Sequence, residues 1–186
     1  MILPIYLYGQ PILRKVTKDI SPDYPNLKTL VDNMFETMQK ADGVGLAAPQ
    51  IGLEDRILVV DLSSQSKDDP SLKDFKKVFI NAYIIEKDGE ESNVEEGCLS
   101  LPNIHEKVPR KSKIRIQYRD ENFHLHDEVF EGFKARVLQH EFDHLEGKMF
   151  IDYVSGMRKQ MIRSKLNRML KGDVDCSYKV KAVSKR

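Results

Sequence analysis

The chain lacks most of the features that mark a secreted, disulfide-stabilised or membrane-spanning protein. Its 186 residues include two cysteines, Cys98 and Cys176, and no tryptophan. Two distant cysteines do not make a disulfide framework in a chain of this length, so a reducing cytoplasm is the expected compartment. No basic segment precedes the first apolar residues, and no apolar run approaches the length of a membrane span. We therefore expect a cytoplasmic protein that has no membrane partner.

The chain also lacks a strong charge of one sign. Lysine and arginine together number 30 against 29 acidic residues, which gives a net charge of +1. Because no basic field covers the whole chain, we expect no sequence-specific nucleic-acid partner. The length fits one domain. Basic residues gather toward the C-terminus, so we expect a main domain (1–154) that holds any active site, a basic helix packed on it (155–172) and a basic, flexible tail (173–186).

Three segments have apolar residues at the three- and four-residue steps of an amphipathic helix. The first follows a start signal at Ser21-Pro22 and should end near Asp42-Gly43. The second spans 131–147 and ends on a glycine, which suits a helix terminus. The third spans 155–172 and should pack on the main domain through Met157, Met161, Ile162, Leu166 and Met169.

Alternating or wholly apolar runs between these helices predict strands. They are 56–62, 78–86 (followed by a turn at 87–89), 113–118 and 123–127. The polar segment 63–77 should be an exposed, mobile loop. Strands in the middle of the chain with helices around them indicate an α+β fold rather than a doubly wound parallel sheet. We expect small mixed or antiparallel sheets packed around the 131–147 helix, with the other helices toward the N- and C-termini.

The strongest chemical signal is His140-Glu141-Phe142-Asp143-His144, inside the second predicted helix. Residues four apart leave the same face of a helix, so both imidazoles can bind one metal ion. Glu141 is near enough to handle a proton of a metal-bound water without ligating the metal itself. Coincidental spacing is the alternative. A third ligand would argue against coincidence, because catalytic zinc sites use three protein ligands and one open position.

Two residues compete for the role of third ligand. A third histidine at the spacing of some zinc peptidases is excluded, because Phe150 occupies that position. Asp152 offers a carboxylate close to the motif. Cys98 follows a glycine between predicted strands, where a loop could present a thiolate, although a lone cysteine is more often a small buried hydrophobe. The residues alone leave both alternatives open.

The segment 43–52, GVGLAAPQIG, is rich in small residues and has one strongly polar side chain, Gln50. It is a poor phosphate loop, because no Gly-Lys-Ser/Thr follows and a helix precedes it. A plain flexible loop is the alternative, although Leu46, Pro49 and Ile51 are stiff and apolar. Small residues let another backbone approach closely. Gln50 could then donate its amide N–H to an oxyanion at the metal.

Three segments together resemble the signature motifs of the peptide deformylases, in the same order and with similar spacing. They are GVGLAAPQIG (43–52), EGCLSLP (96–102) and QHEFDHLEG (139–147). The resemblance runs from the first residues to Ile151-Asp152, roughly four-fifths of the chain.

The resemblance implies a role for ten residues. The metal ligands would be Cys98, His140 and His144, and Glu141 would be the general acid and base. Gln50 and the backbone N–H of Leu99 would be the oxyanion donors. Residues along the substrate would be Val44, Gly45 and Gly97, with Val137 near the pocket for the methionine side chain.

The implied activity is removal of the formyl group from N-formylmethionyl nascent chains, with release of formate. The resemblance implies Fe²⁺ in the cell, whereas a Cys-His-His set also suits Zn²⁺, Ni²⁺ or Co²⁺. Members of the family are thought to bind ribosomes through their C-terminal region. We therefore expect the 155–172 helix to dock on the ribosome, with a solvated surface helix as the alternative. Its basic residues are Arg158, Lys159, Arg163, Lys165, Arg168 and Lys171.

The sequence departs from the family pattern at three positions. Asn103 and His105 stand where many relatives have glycine and arginine, which puts in doubt a contact to the peptide but not the metal chemistry. Arg136 stands where some relatives have an apolar pocket residue, and its stem could line the pocket or turn to solvent. Two rival functions are a zinc endopeptidase with a carboxylate ligand and a metal- or ribosome-binding protein without turnover.

Overall fold

The computed structural model, which describes residues 1–183, contains one five-stranded antiparallel sheet and one short parallel strand pair. In the large sheet the strand order is β2-β3-β4-β5-β6, and the small pair joins β1 to β7. The strands are β1 (Ile5–Tyr6), β2 (Gly45–Ala47), β3 (Ile57–Asp61), β4 (Lys76–Cys98), β5 (Leu101–Arg119), β6 (Leu125–Glu131) and β7 (Val180–Lys181).

The described residues also form three α-helices, so the predicted α+β class is confirmed. They are α1 (Leu27–Lys40), α2 (Gly132–Leu145) and α3 (Gly156–Leu170). The second and third were predicted nearly at their observed bounds. The predicted start of the first at Ser21-Pro22 is wrong, because the chain makes turns there and Asn26 adopts a left-handed φ of 56° before the helix begins.

The strand β3 contributes side chains to two hydrophobic cores, one on each face of the large sheet. All five of its residues are buried, because both faces of the sheet are covered at this point. Leu58 and Val60 face the core that α2 shares with the sheet. Ile57 and Val59 face the opposite core, which is completed by α1. Each such side chain contributes about 1.5–3 kcal/mol when fully buried, so β3 helps to hold α2 on one face of the sheet and α1 on the other.

The predicted turn at 87–89 is wrong. β4 passes through these residues and pairs with β5 as far as Cys98, with a register shift between Asp88 and Glu91. Gly89, at a φ of 78°, accommodates that irregularity rather than a chain reversal. The reversal comes ten residues later, at Leu99 and Ser100, where the pair Cys98 and Leu101 closes the hairpin. Polar residues on the exposed part of the hairpin hid its continuation from the hydrophobic pattern.

The segment 63–77 is not an exposed loop throughout. It contains two short 3₁₀ turns, Ser63–Gln65 and Pro70–Leu72. Leu72 and Phe75 are buried in the core between the sheet and α2. The segment is therefore anchored at its end by two apolar side chains.

The contact of α3 with the domain is narrower than predicted. Ile162 and Met169 are buried, but Met157 and Met161 are 79% and 64% exposed. One stripe of the helix packs on the domain, so the prediction that all five apolar residues anchor it is wrong. None of the helices within residues 1–183 has the length and apolar character needed to cross a lipid bilayer.

The C-terminal segment returns to the N-terminus. Val180 pairs with Ile5, and Lys181 pairs with Tyr6, in parallel register. The segment 173–186 was predicted to be a flexible tail, but its described residues, 173–183, include the strand β7. Its last three residues, 184–186, lie outside the described residues.

Candidate active site

A cavity of about 360 Å³ lies between β2, the end of β4 and one face of α2. Nine of the ten residues singled out from the sequence line it, and they come from all three motifs. These nine are Val44, Gly45, Gln50, Gly97, Cys98, Leu99, Val137, His140 and Glu141. The tenth, His144, lies behind Cys98, with its Nε2 atom 3.3 Å from the Cys98 sulfur. The fold thus brings the three separate motifs to one place.

Cys98, His140 and His144 form a group that could hold a metal ion. Their ligand atoms all lie within 4.8 Å of one another, and both histidines are buried. Cys98 is the last residue of β4, and the histidines occupy successive turns on one face of α2. Phe150 occupies the position at which some zinc peptidases have a third histidine. Its ring stacks against the His140 ring at a centroid distance of 5.9 Å.

Glu96 fixes the orientation of His140. The His140 Nδ1–H donates to Glu96 Oε2 at 2.9 Å, which leaves Nε2 as the nitrogen available to a metal. Burial alone would raise the pKa of Glu96, but hydrogen bonds from His140 and Arg110 lower it to about 2. Glu96 is therefore a carboxylate at neutral pH and remains an acceptor for the imidazole.

A buried charged network surrounds Glu96, and sequence reasoning missed it. Arg110 donates to Glu96 at 2.6 and 2.9 Å and to Asp143 at 2.8 Å. Arg136 donates to Glu96 at 2.8 Å. Glu96 lies two residues before Cys98 and Asp143 lies directly before His144, so their positions in the sequence were a usable signal. Their arginine partners are apparent only once β4 and β5 are paired with the correct register.

Arg136 settles one of the open sequence alternatives. Its side chain is buried and does not turn to solvent. Besides Glu96, the guanidinium donates to the backbone carbonyls of Ser92 and Val108 at 2.7 and 3.0 Å. Arg136 therefore joins α2 to the β4–β5 hairpin while it lines the cavity.

Glu141 is buried at the cavity and lies directly against β2. A Cβ atom at Gly45 would come within 2.4 Å of Glu141 Oε1, so glycine is required there for Glu141 to keep its position. Burial raises the pKa of Glu141 to about 7. Among the described residues, its buried Oε2 atom has no hydrogen-bond partner. A carboxylate with a pKa near neutrality can both accept and donate a proton at neutral pH.

Gln50 is held with its amide N–H group toward Cys98. Its Oε1 accepts a hydrogen bond from the Ala47 backbone N–H at 2.8 Å, which defines which end of the amide is the donor. Its Nε2 donates to Ser100 Oγ at 3.2 Å and lies 3.5 Å from the Cys98 sulfur. Leu99 lies in the turn that follows Cys98, so its backbone N–H belongs to the peptide bond directly after Cys98.

Asp152, the rival third ligand, is engaged elsewhere. Arg14 donates to both of its carboxylate oxygens, at 2.6 and 3.1 Å, and the Met149 backbone N–H donates to Oδ2 at 2.9 Å. It does not belong to the group formed by Cys98 and the two histidines. The carboxylate alternative therefore has no geometric support.

Phe133 and His105 are among the other residues that line the cavity. Phe133, on the first turn of α2, adds an apolar side chain to the cavity. The apolar periodicity of the predicted helix could have identified it. His105 packs over Gly97, where a Cβ atom would come within 2.8 Å of its ring. Asn103 points away, since its side-chain amide donates to the Asp175 carbonyl at 2.8 Å.

Comparisons with known proteins agree with this geometry. Residues 2–160 match the family model described as polypeptide deformylase. Peptide deformylases of Flavobacterium johnsoniae and Flavobacterium psychrophilum are 49% and 47% identical, over 97% and 100% of this chain and 96% and 100% of their own sequences. The crystal structure of the Thermus thermophilus peptide deformylase superposes with a TM-score of 0.82 at 37% identity, covering 93% of this chain and all of that one. The chain therefore belongs to the peptide deformylase family of hydrolases.

Proposed function

We propose that the chain removes the formyl group from N-terminal formylmethionine of nascent polypeptides and releases formate. The observation that carries the proposal is the position of Glu141, which lies in the cavity beside Cys98 and His140 and has a pKa near neutrality. Hydrolysis of an amide at neutral pH needs a proton acceptor and donor next to the attacked carbon. Release of formate from formyl-Met-Ala-Ser, compared with internal cleavage of an acetylated peptide, tests the proposal.

The proposed metal ligands are Cys98, His140 and His144, with Fe²⁺ as the ion in the cell. Sulfur and nitrogen donors around one tetrahedral ion lie roughly 3.4–3.6 Å apart, given the usual bond lengths. The distance of 3.3 Å between Cys98 Sγ and His144 Nε2 supports this fit. One thiolate and two imidazoles also suit Zn²⁺, Ni²⁺ and Co²⁺. When bound, the ion would supply Lewis-acid polarisation and activation of water.

Glu141 is the proposed proton carrier. Its carboxylate would take a proton from the water that attacks the formyl carbon, and would later give that proton to the nitrogen of the departing amine. The contact with Gly45 supports this role, because it fixes the carboxylate at the cavity wall. Glu96 accepts a hydrogen bond from the neighbouring His140, and Arg110 donates to Glu96 and to Asp143 on the same helix, which restrains the helix that carries Glu141.

Gln50 and Leu99 are the proposed oxyanion donors. The Gln50 Nε2–H and the Leu99 backbone N–H would donate to the formyl oxygen as negative charge develops there. The hydrogen bond from Ala47 to Gln50 Oε1 supports the role of Gln50, because it keeps the N–H end directed toward Cys98. A donor that is already oriented stabilises the transition state without a cost of reorganisation.

The proposed substrate-binding residues are Val44, Gly45, Gly97 and Val137. β2 is an edge strand of the five-stranded sheet, so a peptide can pair with its free side as an added strand. Val44 and Gly45 would then bind the peptide backbone from one side, and Gly97 would bind it from the other. Val137 and Phe133 would contact the methionine side chain, since both line the same cavity.

We also infer a cytoplasmic location and ribosome docking through the helix α3. The proposed substrates are nascent polypeptides, so the enzyme must work where polypeptides are synthesised. Several basic residues of α3 already have partners: Arg158 donates to Glu106, Arg168 to Asp173, and Lys165 to the Asn103 carbonyl. The division into a catalytic domain (1–154), a helix (155–172) and a tail (173–186) stays a prediction.

Arg163 and Lys171 are the better residues for testing the docking proposal. Both are exposed, and within residues 1–183 neither has an ion pair or side-chain hydrogen bond. Replacing both by glutamate should weaken co-sedimentation with ribosomes. The slope of log K against log salt should become shallower by ~0.7–0.9 for each phosphate that the helix no longer neutralises. Turnover of a free formyl tripeptide should stay within twofold of the parent value.

The matched control reverses two exposed lysines on another helix. Lys28 and Lys40 of α1 change the net charge equally when replaced by glutamate, but they lie outside α3. This control should bind ribosomes as the parent does. Equal binding by the α3 variant and the parent would identify α3 as a solvated surface helix.

A further inference from the structure

The turn formed by Leu99 and Ser100, directly after Cys98, is held by segments near both ends of the chain. The Leu99 carbonyl accepts a hydrogen bond from the Tyr178 hydroxyl at 2.7 Å. The Ser100 carbonyl accepts one from the Tyr8 backbone N–H at 2.9 Å. Both residues of the turn are thus held through their carbonyl oxygens. We call Leu99 and Ser100 the ligand turn.

The segment that carries Tyr178 is fixed on both sides of that residue. Before it, the Asp175 carbonyl accepts a hydrogen bond from the Asn103 side chain at 2.8 Å. After it, β7 pairs with β1, and Gln10 Nε2 donates to the Ala182 carbonyl at 2.7 Å. The Tyr178 hydroxyl therefore meets the ligand turn from a defined position rather than from a free tail.

The hydroxyl is also a stable donor. Burial, together with the nearby Cys176 and Cys98, raises the pKa of Tyr178 above its usual range. The side chain stays protonated at every pH at which the enzyme would work, so the Leu99 carbonyl has a donor throughout. Tyr178 lies beyond the residues matched by the family model, which end at position 160.

We propose that Tyr178 is a positioning residue that fixes the ligand turn, and with it the Cys98 sulfur and the Leu99 N–H. The N–H and the carbonyl of Leu99 flank one Cα atom, so a restraint on the carbonyl limits the φ and ψ angles that Leu99 can adopt and thereby the positions open to its N–H. Functional groups at such a site must keep their positions within about 0.5 Å to remain productive. The C-terminal segment thereby contributes to the geometry of the site without touching substrate.

The inference rests on the proposed activity for its kinetic part and on the proposed metal ligands for its spectroscopic part, whereas amide exchange depends on neither. Tyr178→Phe removes one hydroxyl and keeps the ring. With Co²⁺ as the bound metal, the absorption bands of the Co²⁺–thiolate group should shift, and the amides of the ligand turn should exchange with solvent faster. The value of kcat per bound Co²⁺ should fall about two- to tenfold, as for loss of one neutral hydrogen bond, with KM within twofold.

Tyr24→Phe is the control for loss of a phenol hydrogen bond elsewhere. Its hydroxyl donates to Asp55 at 2.6 Å, and neither residue lines the cavity. This variant should keep the parent spectrum, exchange pattern and kcat. A Tyr178→Phe variant with unchanged Co²⁺ bands and unchanged exchange at the ligand turn would overturn the proposal. A parent that does not hydrolyse the formyl peptide would instead overturn the proposed function, since the spectrum and exchange need no turnover.

Discussion

Replacing Glu141 by alanine is expected to leave the metal bound and to lower kcat by ~10²–10⁴, the usual contribution of general acid–base catalysis. Glu141 lies in the cavity but is not one of the three grouped ligand candidates, so its loss should remove the proposed proton carrier alone. Metal content per chain and kcat on formyl-Met-Ala-Ser should be measured on the same preparation.

The control for this variant is Glu131→Ala. Glu131 precedes α2, is exposed, and its carboxylate makes no side-chain hydrogen bond that caps the helix. It should keep both its metal and its turnover. Loss of metal from the Glu141 variant would show that this carboxylate ligates the ion. Retained turnover would show that another group carries the proton.

The second large effect is expected from the three proposed metal ligands. Cys98→Ala, His140→Ala and His144→Ala should each lose stoichiometric metal and, with it, nearly all activity, because a site with two remaining protein ligands falls below the three of catalytic sites. Elemental analysis after dialysis measures the first effect, and formate release measures the second. Both histidines are buried, so circular dichroism should accompany each variant to show that it has folded.

Cys176→Ala is the matched control for the cysteine. Cys176 is half-buried like Cys98, but it lies outside the metal-binding group. The control should keep full metal content and turnover. Full metal content in Cys98→Ala would contradict the proposed ligand set and reopen the case for a carboxylate ligand.

The sequence predicted most of the site because its motifs are local. The spacing of His140 and His144 defines one face of a helix whatever the rest of the fold does. Eight of the nine candidates that line the cavity therefore lie within three short motifs, even though the strand containing Cys98 was not predicted. The helices α2 and α3 were predicted well because their caps and apolar periods agree.

Contacts between segments that are far apart in the sequence could not be predicted from local sequence patterns. The network of Glu96, Arg110 and Asp143 depends on the β4–β5 register, and that register follows from pairing rather than from a local pattern. The contact between Gly45 and Glu141 likewise requires β2 to lie against α2. The bulge at Gly89 resembled a turn because glycine with a positive φ suits both structures.

The most direct test of the central claim compares two peptides that differ only at the N-terminus. The parent chain, loaded with Fe²⁺ under anaerobic conditions or with Co²⁺, is incubated with formyl-Met-Ala-Ser and with acetyl-Met-Ala-Ser. Formate and free N-terminal amine are then measured together with internal cleavage products. The account predicts stoichiometric formate and amine from the first peptide, with no cleavage between residues of either. Internal cleavage without formate would contradict it and would favour an endopeptidase.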